Sequence, residues 1–485
     1  MGSPNVVAYG ALLAFVPAAI LVMGMTRPAQ AAVVLSLAGT LFLPQGTTFD
    51  LSGLPSIDKL VLVHFAILLG LVFQHPGQLA RLMPRSPVEF LPWLFVLTLI
   101  GGGFATALTN QDPTPFAGTL TPYDGISIAI REFLKYAVPF SLGWCLFRTS
   151  RDLRTLMIAI VAFGLAYSIL TLWEGRMSPQ LHRQIYGLHS DAFHRAYRWG
   201  GYRPAVFMTN GLAVALQMTA VFAASVAVYR ARVRVGRVPL LLAVPYLGAV
   251  LVLCKSTAAI LYGAGLLPAL LLLRARWLSW LAVGLACLVI AYPVARSSGS
   301  FPTQLISDLS FDLNEKRGAS LQFRFDNEDI LLARALERPA FGWGTKDRPA
   351  LYDPDTGKKL STVDGYWIVL LGSSGLVGWA CVFGLLLVPV FRAASAIPRI
   401  RKREDQFLLA GLSLIVATYA VDMLPNGFFS NSVFFLTGCL FGLSGALPNQ
   451  RSDAAPSAPT KAPRGPIPPA PEPPKPERGR MAGMR

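Results

Sequence analysis

The chain is built from long apolar runs separated by short polar turns. The runs fall at about 7–26, 30–45, 57–74, 90–108, 126–147, 153–173, 204–229, 237–254, 256–273, 277–295, 365–391, 406–424 and 429–446. They lack the two-residue alternation of a half-buried strand, and most approach the ~20 residues a helix needs to cross a bilayer. In lipid every backbone N–H and C=O must be satisfied inside the protein, so only helices and closed barrels span it. Unalternating runs select helices. The pattern predicts an all-α membrane protein, a polytopic bundle of about 11–13 transmembrane helices. The short 30–45 run and the uncertain division of 237–273 set that range. Two stretches break the rhythm: a connection over about 296–364 and a tail from about 447.

Composition removes the soluble alternatives. Apolar residues make up 53% of the chain and charged residues only 14%. A water-soluble domain could not cover that much apolar side chain. Cys145, Cys254, Cys287, Cys381 and Cys439 lie in or beside apolar runs with no C-x-x-C pair, and read as small hydrophobes rather than disulfide partners or zinc ligands. Met1 to Asn5 lacks a basic signal-peptide region, so the first run reads as a retained helix. Residues 1–446 form the transmembrane domain. Residues 447–485 hold ten prolines between Arg451 and Arg485 and few large apolar side chains; they are expected to be a disordered, basic cytoplasmic tail.

The net charge of +17 is explained by placement, with no call on nucleic acid. Arg81/Arg85, Arg148/Arg151/Arg154, Arg230/Arg232/Arg234/Arg237, Arg274/Arg276 and Arg392/Arg399/Arg401/Lys402/Arg403 fall in alternate turns, which the positive-inside rule assigns to the cytoplasm. The stretches 46–56 and 109–124 contain no basic residue and read as external. Two further external loops, about 174–203 and 296–364, are nevertheless rich in arginine, and topology does not account for them.

The first of these loops carries Arg176, Arg183, His189, His194, Arg195, Arg198 and Arg203, with Asn210 expected about two turns inside the following helix and facing the bundle. Its arginines read either as an external anion site or as side chains snorkelling to lipid headgroups. The larger loop has no histidine. Its stretch Asn327–Glu337 predicts an amphipathic helix with Ile330, Leu331, Ala333 and Leu336 on the apolar face, followed by Pro339 and a turn at Gly342-Trp343-Gly344. Asp364 stands where the chain enters lipid, as a helix cap or for function. Arg131, Glu132 and Lys135 lie near the external end of one span; Glu132 and Lys135 either pair structurally or touch a substrate. Lys255 falls at an external turn.

These residues bring a family into view. Arg324 ahead of a loop helix, Glu337-Arg338-Pro-Ala-Phe-Gly-Trp-Gly344, and Thr362-Val-Asp364-Gly-Tyr366 leading to Gly375-Leu-Val-Gly378 together resemble the O-antigen ligase and polymerase family. The tract Arg198–Asn210 is similar to that family's arginine-rich approach to a middle helix, and Leu253-Cys-Lys255-Ser256 to its mid-chain serine motif in exopolysaccharide polymerases. The resemblance covers about 120–450. It implies a GT-C-like glycosyltransferase of the bacterial inner membrane acting at the periplasmic face on undecaprenyl-pyrophosphate-linked glycan. Chain-length regulators and other polysaccharide-assembly proteins would be its partners beside membrane lipid. The ligases carry a histidine late in the large loop. This chain has none there, which favours a polymerase over a ligase; a transporter is the alternative of another class.

Under that resemblance the chemistry needs guanidinium groups on the departing pyrophosphate and an acceptor for the attacking hydroxyl's proton. Arg203, Arg324 and Asp364 are the expected catalytic residues, with Asp364 as base and His189 or His194 as second choice. Arg195, Arg198, Asn210, Lys255, Arg338 and Tyr366 are the expected substrate contacts. No metal or cofactor is required.

Overall fold

A computed structural model describes residues 3–50, 55–114, 118–188, 196–313, 315–345, 347–353, 355–362, 364–428, 430 and 432–450. The expected tail from 451 onward, and His189, His194 and Arg195, lie outside the described residues.

The described chain is a helical, multi-pass membrane protein. Its helices are α1 (Val6–Met25), α2 (Pro28–Phe42), α3 (Lys59–Gln74), α4 (Pro87–Thr109), α5 (Pro122–Glu132), α6 (Val138–Leu146), α7 (Ser150–Met177), α8 (Leu181–Tyr186), α9 (Gly211–Arg230), α10 (Leu240–Leu253), α11 (Thr257–Leu272), α12 (Ala275–Ser297), α13 (Thr303–Leu313), α14 (Glu315–Leu336), α15 (Tyr366–Ala396), α16 (Arg403–Asp422) and α17 (Ser432–Ala446). Eight of these, with short 3-10 extensions in two cases, are by themselves long and apolar enough to cross a membrane. The shorter apolar helices α2, α10 and α11, α3 with its bent extension, and α5–α6 joined through a π turn at Phe133–Ala137 continue the order. Two-residue strands pair Thr48–Phe49 with Ile57–Asp58 and Tyr197–Arg198 with Gly201–Tyr202.

Local chemistry sets several helix starts. Asn5, Asp58 and Ser86 cap α1, α3 and α4, and Thr121 with Asp124 and Thr149 with Asp152 form capping boxes for α5 and α7. Small residues set the closest helix approach. A Cβ on Gly143 of α6 would stand 2.3 Å from the Phe435 carbonyl of α17, and one on Gly438 would stand 2.0 Å from that of Phe140. Apolar helices lack a hydrophobic drive to associate in lipid, so backbone contact of this kind is what holds them.

Contacts between helix ends define two faces. At one, Asn5 N–H donates to Tyr186 O (3.0 Å), Lys59 Nζ to Phe207 O (2.7 Å) and Asn110 Nδ2 to Gly342 O (3.0 Å). At the other, Arg154 meets Glu404 (2.6 Å), Arg392 meets Glu89 (3.1 Å) and Arg81 donates to Cys145 O (3.4 Å). The turns predicted to be cytoplasmic share this second, arginine face. The connection between α12 and α15 lies at the first, the loop face.

Two expectations change. The helix expected over 204–229 begins only at Gly211, and Asn210 is its N-cap, its Oδ1 accepting from Leu212 and Ala213 N–H at 3.0 Å each. The preceding backbone is irregular because its polar groups are satisfied elsewhere. Buried Glu174 accepts from Ala205 and Val206 N–H at 2.9 and 2.7 Å, and Lys59 Nζ donates to Phe207 O. The loop helix expected over Asn327–Glu337 is twice as long, Glu315–Leu336, and turns a different face inward. Phe325, Glu328, Leu331, Leu332 and Ala335 are buried, while Ile330, Ala333 and Leu336 are exposed. A buried glutamate hid that face from an apolar pattern. Arg296 at the end of α12 compensates it, reaching Glu328 at 3.2 Å and Asp329 at 2.7 Å, and Tyr292 Oη donates to Glu328 at 2.8 Å.

Candidate functional site at the loop face

The sequence segment Arg338–Gly344 is docked onto a broken stretch of α15. Gly375 adopts φ +64 there, and a Cβ would stand 2.3 Å from Ala340 O. The helix interruption frees backbone groups that the loop takes up. Trp343 N–H donates to Gly372 O (2.8 Å), Gly344 N–H to Ser373 O (2.9 Å), and Leu376 N–H to Pro339 O (2.7 Å). Thr106 Oγ1 from α4 donates to Phe341 O at 2.7 Å. Glycine fits these positions because positive φ is free of Cβ strain.

Arg338 pairs with Asp112 at 2.7 Å and lies with Arg334 over the Trp343 ring. Burial works against the Asp112 carboxylate, but its own backbone N–H and the Arg338 guanidinium outweigh it and hold the carboxyl below its usual range. Arg348, only 1% exposed, donates to the carbonyls of Trp343, Gly118 and Asp112. Arg338 therefore serves to fasten the loop. Arg348 was invisible as an anchor in the sequence, where it stood among mixed loop charges.

At the start of α15 the predicted residues Arg324, Asp364 and Tyr366 come together. Tyr366 N–H donates to Met423 O (2.9 Å) and Asn426 O (3.1 Å), which pulls the α16–α17 turn against the helix start. Gly365 permits this, since a Cβ there would stand 2.3 Å from Leu424 O. Asp364 is not the cap; that position is Gly365, with no side-chain cap bond. The Asp364 carboxylate instead faces the Arg324 guanidinium at 3.6 Å, and Arg324 Nη1 donates to Pro425 O at 3.3 Å. Their side chains remain 37% and 30% exposed, so a solute can reach both. Buried Asp422 at the end of α16 accepts from Asn426 Nδ2 at 3.0 Å.

From this point Tyr366 leads into a cavity of about 280 Å³ between α5, the π turn, the start of α15 and the loop at 344–350. Its hydroxyl contacts that of Tyr136 and accepts from Lys135 Nζ at 3.1 Å. Lys359 and Asp347 pair across the rim at 2.9 Å. Glu132 Oε2 is buried in this wall with no hydrogen-bond partner among the described residues.

Arg203 and Lys255 form a second group. Arg203 is 9% exposed, donates to Lys255 O at 3.3 Å and lies across Gly211. Lys255, at φ +53 in the α10–α11 turn, places Nζ against Gly201 of the short hairpin. Arg198 is exposed on that hairpin, and Asn210 is engaged as a cap. The stitching residues Glu174 and Lys59 were not singled out from sequence as anchors; the only signal was a charge at the edge of an apolar run.

The chain matches no protein-family model and no curated protein.

Proposed function

We propose that this protein is a GT-C-like membrane glycosyltransferase that joins lipid-pyrophosphate-linked oligosaccharide units, with the loop face as its periplasmic, catalytic side in a bacterial inner membrane. The observation that carries this reading is the start of α15. An accessible Arg324 is oriented there by Asp364, and two residues further on Tyr366 opens into a cavity with a mainly apolar wall that also holds Glu132 and Lys135.

Arg324 supplies a permanently charged fork for the pyrophosphate leaving group, whose negative charge grows as the anomeric bond breaks. A fixed donor at such a developing charge is worth about 3–4 kcal/mol of barrier. Asp364, expected as the base, is engaged with this guanidinium, and its role here is to hold it in place. Arg203, buried, shapes the α10–α11 turn that presents Lys255. Charged groups concentrate at helix ends and in the long connection rather than at helix centres. That supports surface chemistry over transport, where binding groups gather near the midplane.

Deletion of the gene followed by gel analysis of glycans tests the proposal. A single lipid-linked repeat unit accumulates if the protein is a polymerase. Full-length polymer retained on the lipid carrier indicates a ligase, and an unchanged glycan profile overturns the reading.

A further inference from the structure

We infer that the cavity behind Tyr366 is the acceptor-sugar site, and that Glu132 takes the proton of the attacking hydroxyl. This rests on the glycosyltransferase reading above and adds to it the acceptor's place and its base.

The cavity has the mixed wall that carbohydrate recognition uses. Tyr136, Tyr366, Ile368 and Pro349 supply ring and apolar surface, while Glu132 and Lys135 supply hydrogen-bonding charge. At about 280 Å³ it has room for a sugar ring, and it is bounded by loop residues rather than lipid-facing ones on one side. Glu132 is the group that a ligand would complete. Its Oε2 is shut away from solvent with no partner among the described residues, an arrangement that costs free energy until a donor arrives. A sugar hydroxyl is such a donor. The neighbouring acids are engaged: Asp347 with Lys359 at 2.9 Å and Asp364 with Arg324 at 3.6 Å. Glu132 makes no such ion pair among the described residues, and the charges of Arg131 and Lys135 act on it only from nearby. The π turn at Phe133–Ala137 directly follows Glu132, and interruptions of this kind recur at functional sites.

The step balances as a single displacement. The acceptor hydroxyl oxygen bonds to the anomeric carbon of the donor, and its proton passes to the Glu132 carboxylate. The bond from that carbon to the pyrophosphate oxygen breaks, and the lipid pyrophosphate leaves with the electron pair.

The test uses the full chain in proteoliposomes, supplied with lipid-linked glycan extracted from the deletion strain. Glu132→Gln keeps the size of the side chain but cannot take the proton. It is expected to lower polymer yield by about 100-fold or more while the lipid-linked unit still co-purifies with the protein. Glu132→Asp retains part of the yield. Glu132→Ala is restored in part by added formate, which a packing role would not produce. A wild-type ladder from Glu132→Gln, or a Glu132→Ala loss that formate leaves untouched, overturns the assignment. An Arg324→Ala control separates the two proposals. If it abolishes polymer while Glu132→Gln does not, the acceptor site is wrong and the transferase reading stands. If the deletion strain makes normal glycan, the transferase reading itself is wrong.

Discussion

Arg324 and Arg203 looked equivalent along the chain, and their surroundings now separate them. Arg324 is over a third exposed and makes one carbonyl contact and one carboxylate contact. Arg324→Ala is therefore expected to abolish polymer while leaving the amount of protein in the membrane unchanged, as judged by glycan gel and immunoblot of the same cells. Arg324→Lys restores charge without the two-point geometry and is expected to recover little. Arg203 is buried over Gly211 and braces the Lys255 turn. Arg203→Ala is expected to abolish polymer as well, but with a lowered melting temperature of the purified protein. Equal melting temperatures for the two variants would remove the distinction. The resemblance grouped Arg324, Asp364 and Tyr366 with Arg324 ahead of the loop helix; in the structure Arg324 lies within that helix, which brings its guanidinium to Asp364 at the start of α15. The sequence did not reveal that Glu132 Oε2 is sealed in a wall, since burial of one oxygen depends on loop residues more than 200 positions away.

The elements that carry these residues are held by a few specific contacts. Helix α14 is fastened through Arg296 to Glu328 and Asp329. Arg296→Met leaves a buried glutamate without its cation, a change that costs about 3–5 kcal/mol when one partner of such a pair is removed. It is expected to increase hydrogen exchange across 315–336 while the helices of the bundle stay protected. Unchanged exchange in that helix would show that the pair is not its fastening. The Arg338–Asp112 contact adds a pH dependence. Because the folded Asp112 carboxyl lies below its ordinary value, its stabilising contribution is complete above about pH 4 and is lost as pH falls through the depressed folded value. Protease cleavage in the 338–350 loop is expected to rise on acidification in wild type. In Asp112→Asn that acid-induced rise should be absent. Of these elements the sequence disclosed the Gly342-Trp343-Gly344 turn, through its glycines. It missed the inward face of α14, because a glutamate satisfied by an arginine on another helix carries no periodic apolar signal.

For the molecule as a whole, the order of the apolar segments was legible to within several residues at their ends, because lipid demands long apolar helices and permits little else; of the expected 11–13 spans, eight among the described residues are long and apolar enough by themselves. The exceptions were places where protein groups replace lipid as the surroundings of the backbone, as Glu174 and Lys59 do before α9. The same logic yields a prediction about sidedness. The arginine turns and the long connection lie at opposite faces, so a thiol placed in each must respond oppositely to a reagent that cannot cross the membrane. In a background with all five native cysteines replaced by alanine, Ser300→Cys and Thr356→Cys sit in the long connection; Arg232→Cys and Ser395→Cys sit at the arginine face, and all four positions are exposed. Charged maleimide added to intact cells with a permeabilised outer membrane is expected to modify the first two. The second two should react only after the inner membrane is broken. The reverse pattern would place Arg324 and the Glu132 cavity in the cytoplasm, and chemistry on a glycan carried at the periplasmic surface could then not be theirs.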